Sequence, residues 1–132
     1  MPTFTTLIAE DYEEFRQLLR RTLLEDSQYV IVAEASDGLQ AVQQAQKLQP
    51  DIVLLDLSLP KLNGMQAGRR IRRLSPNSKV VFLSQESSPE IMQGALRMGA
   101  LGYVLKSDAT ELPIALETVM KGMQFVSSAL RP

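Results

Sequence analysis

Five short apolar runs alternate with five segments of helical periodicity along this chain, and this alternation constrains the fold more than any other feature. The predicted strands are Phe4–Ala9, Tyr29–Glu34, Ile52–Asp56, Val80–Leu83 and Tyr103–Leu105. Their continuous apolar character is typical of parallel strands that are covered on both faces. Five βα units with short connections therefore predict an open, doubly wound α/β sheet with five helices.

Local signals predict where several of the helices begin. Asp37 is the expected N-cap of the second helix, with Gln40 at the third helical position. Pro89 is expected in the first turn of the fourth helix, where its missing N–H would be unpaired in any case. Pro113 belongs in the first turn of the fifth helix for the same reason, which places the cap of that helix near Thr110.

Composition narrows the possible functions. The chain has 132 residues, enough for one domain, and 45% of them are apolar, which argues against disorder. It contains no Cys and no His, so any bound metal is expected to be hard and oxygen-ligated. The net charge of -1 argues against electrostatic binding of nucleic acid by the whole domain. No apolar stretch reaches the length of a membrane span, so we expect a soluble, cytoplasmic protein without a membrane partner.

Polar side chains follow four of the five predicted strands. They are Glu10, Asp11, Asp56, Ser84 and Lys106. Because the carboxyl ends of parallel strands meet at one edge of a sheet, these groups should lie together at the switch in strand order. Carboxylates at ~4 Å repel by about 1 to 4 kcal/mol per pair, and a divalent cation such as Mg²⁺ reverses that interaction. Asp56 could then be a nucleophile toward phosphorus, with Lys106 neutralising charge and Ser84 donating a hydrogen bond.

The same residues, in the same order, resemble the response-regulator receiver domain of two-component signalling, and the resemblance covers nearly the whole chain. The acidic pair matches Glu10 and Asp11, the phosphoacceptor matches Asp56, the switch hydroxyl matches Ser84 and the lysine matches Lys106. The resemblance implies a flavodoxin-like sheet with the strand order 2-1-3-4-5.

The stretch 95–106 is similar to the NarL/FixJ-type subfamily, whose members usually carry a C-terminal, LuxR-type DNA-binding domain. This similarity implies regulation of transcription through an output domain that is missing from this chain. Residues 1–122 are expected to form the receiver domain. Residues 123–132 are expected to form a tail or the start of a linker. A stand-alone, single-domain receiver that acts through protein–protein contacts is the alternative.

The resemblance also implies a metal site and a phosphoryl donor. Asp11, Asp56 and the backbone carbonyl of Ser58 are expected to bind Mg²⁺ directly, and Glu10 is expected to act through water. A phosphohistidine of a sensor histidine kinase would donate its phosphoryl group to Asp56. The chain is not expected to be a conventional enzyme, because it would phosphorylate and dephosphorylate only itself.

The expected switch uses Ser84 and Tyr103. Ser84 would move toward the new phosphoryl group and Tyr103 would follow inward, which changes the face formed by the fourth helix, the fifth strand and the fifth helix. That face would then favour a homodimer on phosphorylation, and DNA would be reached only through the missing output domain.

Two positions depart from the usual pattern of the family. The residue after the switch hydroxyl is usually small, but here it is Gln85, so Gln85 and the following Glu86 are expected to modulate the rates of phosphorylation and hydrolysis. The residue after the lysine is often a proline preceded by a cis bond, and here it is Ser107. Because a cis bond before a residue other than proline costs about 2.5–4 kcal/mol, the geometry of the Lys106–Ser107 bond is left open.

The same residues bear on three other functions. A phosphatase of the haloacid-dehalogenase type needs a second Asp two residues after Asp56, and Ser58 occupies that position. A flavodoxin-like electron carrier needs a first loop rich in Ser, Thr and Gly to cradle a phosphate, but residues 10–14 are mostly acidic. A receiver-like module that signals without phosphorylation is favoured only by Gln85.

Overall fold

The computed structural model describes residues 2–131, so Met1 and Pro132, the outer limits of the predicted domain and tail, lie outside the described residues. The strands are β1 (Phe4–Ala9), β2 (Tyr29–Ala35), β3 (Ile52–Asp56), β4 (Lys79–Ser84), β5 (Gly102–Leu105) and β6 (Phe125–Val126). The α-helices are α1 (Glu13–Leu24), α2 (Gly38–Leu48), α3 (Gly64–Leu74), α4 (Pro89–Arg97) and α5 (Leu112–Met120). Two 3₁₀ turns cover Lys106–Glu111 and Ser128–Leu130.

The strands form one parallel sheet in the order β2-β1-β3-β4-β5-β6. The predicted doubly wound, flavodoxin-like order 2-1-3-4-5 is therefore confirmed, with one strand more than predicted. The sixth strand has only two residues, Phe125 and Val126, which is too short to stand out in an apolar pattern. It pairs with β5, which would otherwise form the open edge of the sheet.

The helices cover both faces of the sheet, and each face has its own apolar core. One core contains Ala41 of α2, Ile71 of α3 and Ala95 of α4. The other contains Leu19 of α1 and Leu116 of α5. The interior strands supply alternate residues to the two cores and are buried on both sides, which explains why their sequences read as continuous apolar runs.

The helix boundaries confirm these local signals. The Asp37 side chain accepts a hydrogen bond from the Gln40 N–H at 2.8 Å, and Pro89 opens α4. Pro113 lies in the first turn of α5, and Glu111, the residue after Thr110, is at the cap position, where the 3₁₀ turn that starts at Lys106 runs directly into the helix. Within residues 2–131, the helices fall short of the length and apolar character needed to span a membrane.

The strand register brings the predicted site together. Ala9 of β1 pairs with Leu55 of β3, so Glu10 and Asp56 follow on neighbouring strands at the same level. On the other side of β3, Ser84 of β4 pairs with Leu105, the residue before Lys106. All four strand ends therefore meet at one edge of the sheet, as the sequence predicted.

Candidate functional site

Three carboxylates form the centre of this edge. One oxygen each from Glu10, Asp11 and Asp56 lies within 4.8 Å of the others. Glu10 is fully buried and Asp56 is 2% exposed, whereas Asp11 faces solvent. Buried carboxylates at this separation repel one another and lose hydration, so the arrangement costs stability unless a cation offsets it.

Lys106 supplies one positive charge to this cluster. Its Nζ lies 2.9 Å from Oε1 of Glu10 and 3.4 Å from Oδ2 of Asp56. The first contact is an ion pair that partly offsets the charge of the buried Glu10 carboxylate. The ammonium group also lies 4.9 Å from the centre of the Phe15 ring, which favours a cation at this position. One ammonium for three carboxylates leaves the site with excess negative charge.

Backbone groups hold the two buried carboxylates in place. Oε2 of Glu10 accepts a hydrogen bond from the Tyr12 N–H at 3.0 Å, and Oδ1 of Asp56 accepts one from the Ser58 N–H at 3.1 Å. Burial raises the pKa of Glu10 above its usual range, although Lys106 and the Tyr12 N–H both favour the charged form. Gly64 lets α3 begin against the end of β3, because a Cβ there would lie 2.2 Å from the Asp56 carbonyl oxygen.

The β4–α4 loop is held by Ser84 and Tyr103. The Ser84 hydroxyl accepts a hydrogen bond from the Glu86 N–H at 2.8 Å, and the Tyr103 hydroxyl donates to the Glu86 carbonyl at 2.8 Å. Both side chains are buried, and burial raises the pKa of the Tyr103 hydroxyl, which therefore stays protonated and able to donate. Tyr103 is thus already inward in this structure, and its predicted movement on phosphorylation stays a prediction.

An open cleft of about 750 Å³ leads to Asp56. Its lining residues are Asp11, Tyr12, Glu14, Phe15, Leu18, Arg21, Asp56, Ser58, Gln85 and Lys106. Gln85 is exposed at this cleft, and Ser84 and Tyr103 hold the Glu86 backbone, while the modulating roles of Gln85 and Glu86 stay predictions. Phe15 was not among the predicted site residues, because no local pattern indicates that its ring faces Lys106.

The oxygen donors at this edge fit Mg²⁺. The carboxylates of Asp11 and Asp56 both reach the cleft, together with Ser58, and no softer ligand competes because the chain lacks Cys and His. Glu10 differs from these two, because its oxygens already contact Lys106 and the Tyr12 N–H. This difference supports the expectation that Glu10 acts through water rather than as a direct ligand.

The backbone after Lys106 answers the question that the sequence left open. Among residues 2–131 no peptide bond is cis, so the Lys106–Ser107 bond is trans.

Known proteins share this sequence pattern. The model of the response regulator receiver domain family matches residues 6–117. The chain is 34% identical over 121 residues to the transcriptional regulatory protein DegU of Brevibacillus brevis, an alignment that covers 91% of this chain and 51% of DegU. It is 33% identical over 129 residues to the nitrate/nitrite response regulator protein NarL of Escherichia coli K12, covering 97% of this chain and 60% of NarL. The chain therefore spans little more than half the length of these relatives.

A solved structure shares the fold as well. The two-component response regulator of the LuxR family from Aurantimonas sp. SI85-9A1 superposes with a TM-score of 0.91 at 31% identity, covering 97% of this chain and 92% of that one. The family match, the strand order and the acidic edge agree with one another, and this chain belongs to the response regulator receiver domain family, with relatives of the NarL and LuxR type.

Proposed function

We propose that this chain is a phosphorylation-activated switch that accepts a phosphoryl group on Asp56. The observation that carries the proposal is the position of Lys106, whose ammonium lies 3.4 Å from the buried Asp56 carboxylate in a cleft that is open to solvent. A carboxylate that served only the fold would not need both an open approach and a cation beside it.

The reaction transfers a phosphoryl group and balances without any redox partner. An Asp56 carboxylate oxygen forms a bond to phosphorus, and the bond between phosphorus and the donor breaks. In the proposed reaction the donor is a phosphohistidine of a sensor histidine kinase, so the imidazole nitrogen leaves with the bonding electron pair. Lys106 stabilises the negative charge that develops on the transferred oxygens.

Residues of this edge would hold the metal that the reaction uses. Asp11, Asp56 and the Ser58 carbonyl would bind Mg²⁺ directly, and Glu10 would reach it through water. When bound, Mg²⁺ neutralises the carboxylates and the phosphoryl oxygens, so that two anions can approach each other. The charge of the cluster supports this assignment, because Lys106 alone cannot balance three carboxylates.

The β4–α4 loop supports a route for the signal. The Ser84 hydroxyl now accepts the Glu86 N–H, and a phosphoryl group on Asp56 would give it a charged acceptor to which it could donate instead. That exchange would release one of the two hydrogen bonds that hold the Glu86 backbone. The other comes from Tyr103, so movement of this loop would reach β5 and the faces of α4 and α5 beside it.

The output of the switch belongs to the same proposal. The names of DegU and NarL describe a transcriptional regulatory protein and a nitrate/nitrite response regulator. We propose that the phosphorylated chain forms a homodimer and regulates transcription in the cytoplasm through a C-terminal DNA-binding domain that lies outside this chain. It would not turn over an external substrate, and in this sense it would not be a conventional enzyme.

Intact mass measured after incubation with acetyl phosphate tests the proposal. We expect the mass of one added phosphoryl group in the presence of Mg²⁺, and no addition when a chelator removes the metal. Asp56→Asn should not gain the group. Asp26→Asn, which changes an exposed aspartate in the α1–β2 turn, should gain it like the unmodified chain.

The opposite results would separate the remaining alternatives. Phosphorylation that persists in Asp56→Asn would contradict the assignment of the phosphoacceptor. A folded chain that gains nothing would favour a phosphorylation-independent module. Gln85→Ala would then be the first variant to measure, because Gln85 lines the cleft that leads to Asp56.

A further inference from the structure

Ser127 lies outside the part of the chain that the family model matches, yet it is bonded to the strand that leads to Lys106. Its N–H donates to the Tyr103 carbonyl at 2.9 Å, which continues the pairing of β6 with β5. Its hydroxyl then accepts the N–H of Leu105 at 2.7 Å. The Ser127 hydroxyl thus accepts the N–H of Leu105 where a longer β6 would offer a backbone carbonyl. Leu105 directly precedes Lys106.

Water cannot replace the Ser127 hydroxyl as the acceptor of the Leu105 N–H. Ser127 is fully buried and Leu105 is 5% exposed, so solvent does not reach the hydrogen bond between them. A buried N–H that loses its acceptor is costly, and the backbone moves to find another one. The end of β5, and with it the starting point of the Lys106 side chain, therefore depends on Ser127.

The neighbouring residue Ser128 makes a different contact. Its N–H donates to Oε1 of Glu111 at 3.0 Å, and its hydroxyl donates to the other oxygen of the same carboxylate. This contact ties the tail to the far end of the 3₁₀ turn that begins at Lys106, rather than to β5. Substitutions at Ser127 and at Ser128 can therefore distinguish the effect of the contact with β5 from the effect of the contact that holds the tail.

We propose that Ser127 is a positioning residue that holds Lys106 in register with Asp56, and that phosphoryl transfer therefore requires the tail. The inference rests on the proposed function. Ser127 is hydrogen-bonded to none of the three carboxylates of the site, and it acts through the Leu105 N–H. Misplacing a reacting group by about 1 Å can slow a reaction by ~100-fold, and Lys106 reaches Asp56 with a separation of only 3.4 Å.

The rate of phosphorylation by acetyl phosphate at saturating Mg²⁺ tests the proposal. We expect Ser127→Ala to lower the maximal rate about tenfold, with little change in the acetyl phosphate concentration that gives half of that rate. Ser127→Thr, which keeps the hydroxyl, should recover most of the loss. Ser128→Ala should react like the unmodified chain. If Ser127→Ala does not fold, Ser127→Cys replaces it, because a thiol is a weak acceptor of similar size.

A double-mutant cycle with Lys106→Met distinguishes positioning from general destabilisation. If Ser127 acts through Lys106, adding Ser127→Ala to Lys106→Met should slow phosphorylation no further. An equal loss in both backgrounds would overturn the proposal, and so would an unchanged rate in folded Ser127→Ala. An unmodified chain that is never phosphorylated would instead overturn the proposed function, and this inference with it.

Discussion

Polar side chains are paired within the fold at the amino end of the sheet but crowd like charges together at its carboxyl end. At the amino end, Oδ2 of Asp51 accepts the N–H of Thr5 at 2.8 Å and its hydroxyl at 3.2 Å, and the Asp51 N–H donates back to that hydroxyl at 3.0 Å. Close by, the hydroxyls of Ser75 and Ser78 are 2.6 Å apart, and Ser78 donates to the Pro50 carbonyl. Each of these side chains has a partner within the fold.

The carboxyl end is not balanced in this way. The buried carboxylates of Glu10 and Asp56 share the Lys106 ammonium, and the Asp11 carboxylate adds a third negative charge within 4.8 Å of both. Satisfied polar groups stabilise a fold, whereas crowded like charges cost stability. The comparison therefore indicates that the amino end serves folding and that the carboxyl end is maintained for function.

The largest effect is expected when the Lys106 ammonium is removed from the carboxyl end. Lys106→Met leaves Glu10 and Asp56 buried without their counter-charge, and the free energy of unfolding should fall by about 3 kcal/mol at neutral pH. Urea denaturation in the presence of a chelator measures this change. Lys47→Met, on the exposed side of α2, is the control and should stay within about 0.5 kcal/mol. An equal effect of the two variants would contradict the claim that Lys106 offsets a strained acidic edge.

A smaller loss is expected from the amino end, without an effect on phosphorylation. Asp51→Ala removes the acceptor of the Thr5 N–H and hydroxyl, and should lower the free energy of unfolding by about 2 kcal/mol. Asp51→Asn keeps one carbonyl acceptor and should lose roughly half as much. Both variants should accept a phosphoryl group from acetyl phosphate at the unmodified rate. A slower reaction in folded Asp51→Ala would show that the two ends are coupled.

The smallest effect concerns pH. Burial raises the pKa of Glu10 above its usual 4.5, so the folded state holds this proton more tightly than the unfolded chain. Stability from Glu10 is therefore greatest at low pH and is lost as the pH rises through the raised pKa. Relative to the unmodified chain, Glu10→Gln should become progressively more stable as the pH rises from acidic to neutral. Urea midpoints without metal measure this trend.

Glu13→Gln is the control for that trend and should behave in the opposite way. Arg16 and Arg20 lower the pKa of Glu13, so its stabilising contribution is present at neutral pH and is lost on acidification. This variant should therefore become less stable relative to the unmodified chain as the pH rises. If both variants followed the same trend, the charge balance of the carboxyl end would not explain the behaviour of Glu10.

Much of the fold follows from local pattern. The predicted limits of β1 and β3 are those observed, and β2, β4 and β5 differ by one residue at one or both ends. Apolar runs and helical spacing are local, so they can be read without the fold. The 3₁₀ turn before α5 was not predicted, because it depends on contacts rather than on spacing. The strand β6 was missed, because two residues acquire a regular conformation only when β5 offers them an edge.

The sequence by itself determined which polar residues meet. Once the strands are parallel and short-connected, Glu10, Asp56 and Lys106 must share one edge, whatever the details of packing. Only the tertiary structure decided how they divide their contacts. Lys106 lies closer to Glu10 than to Asp56. The Ser127 hydroxyl accepts the N–H of Leu105, the residue before Lys106. Such contacts join residues far apart in the chain, and their distances depend on the packing of the intervening elements, which no local pattern records.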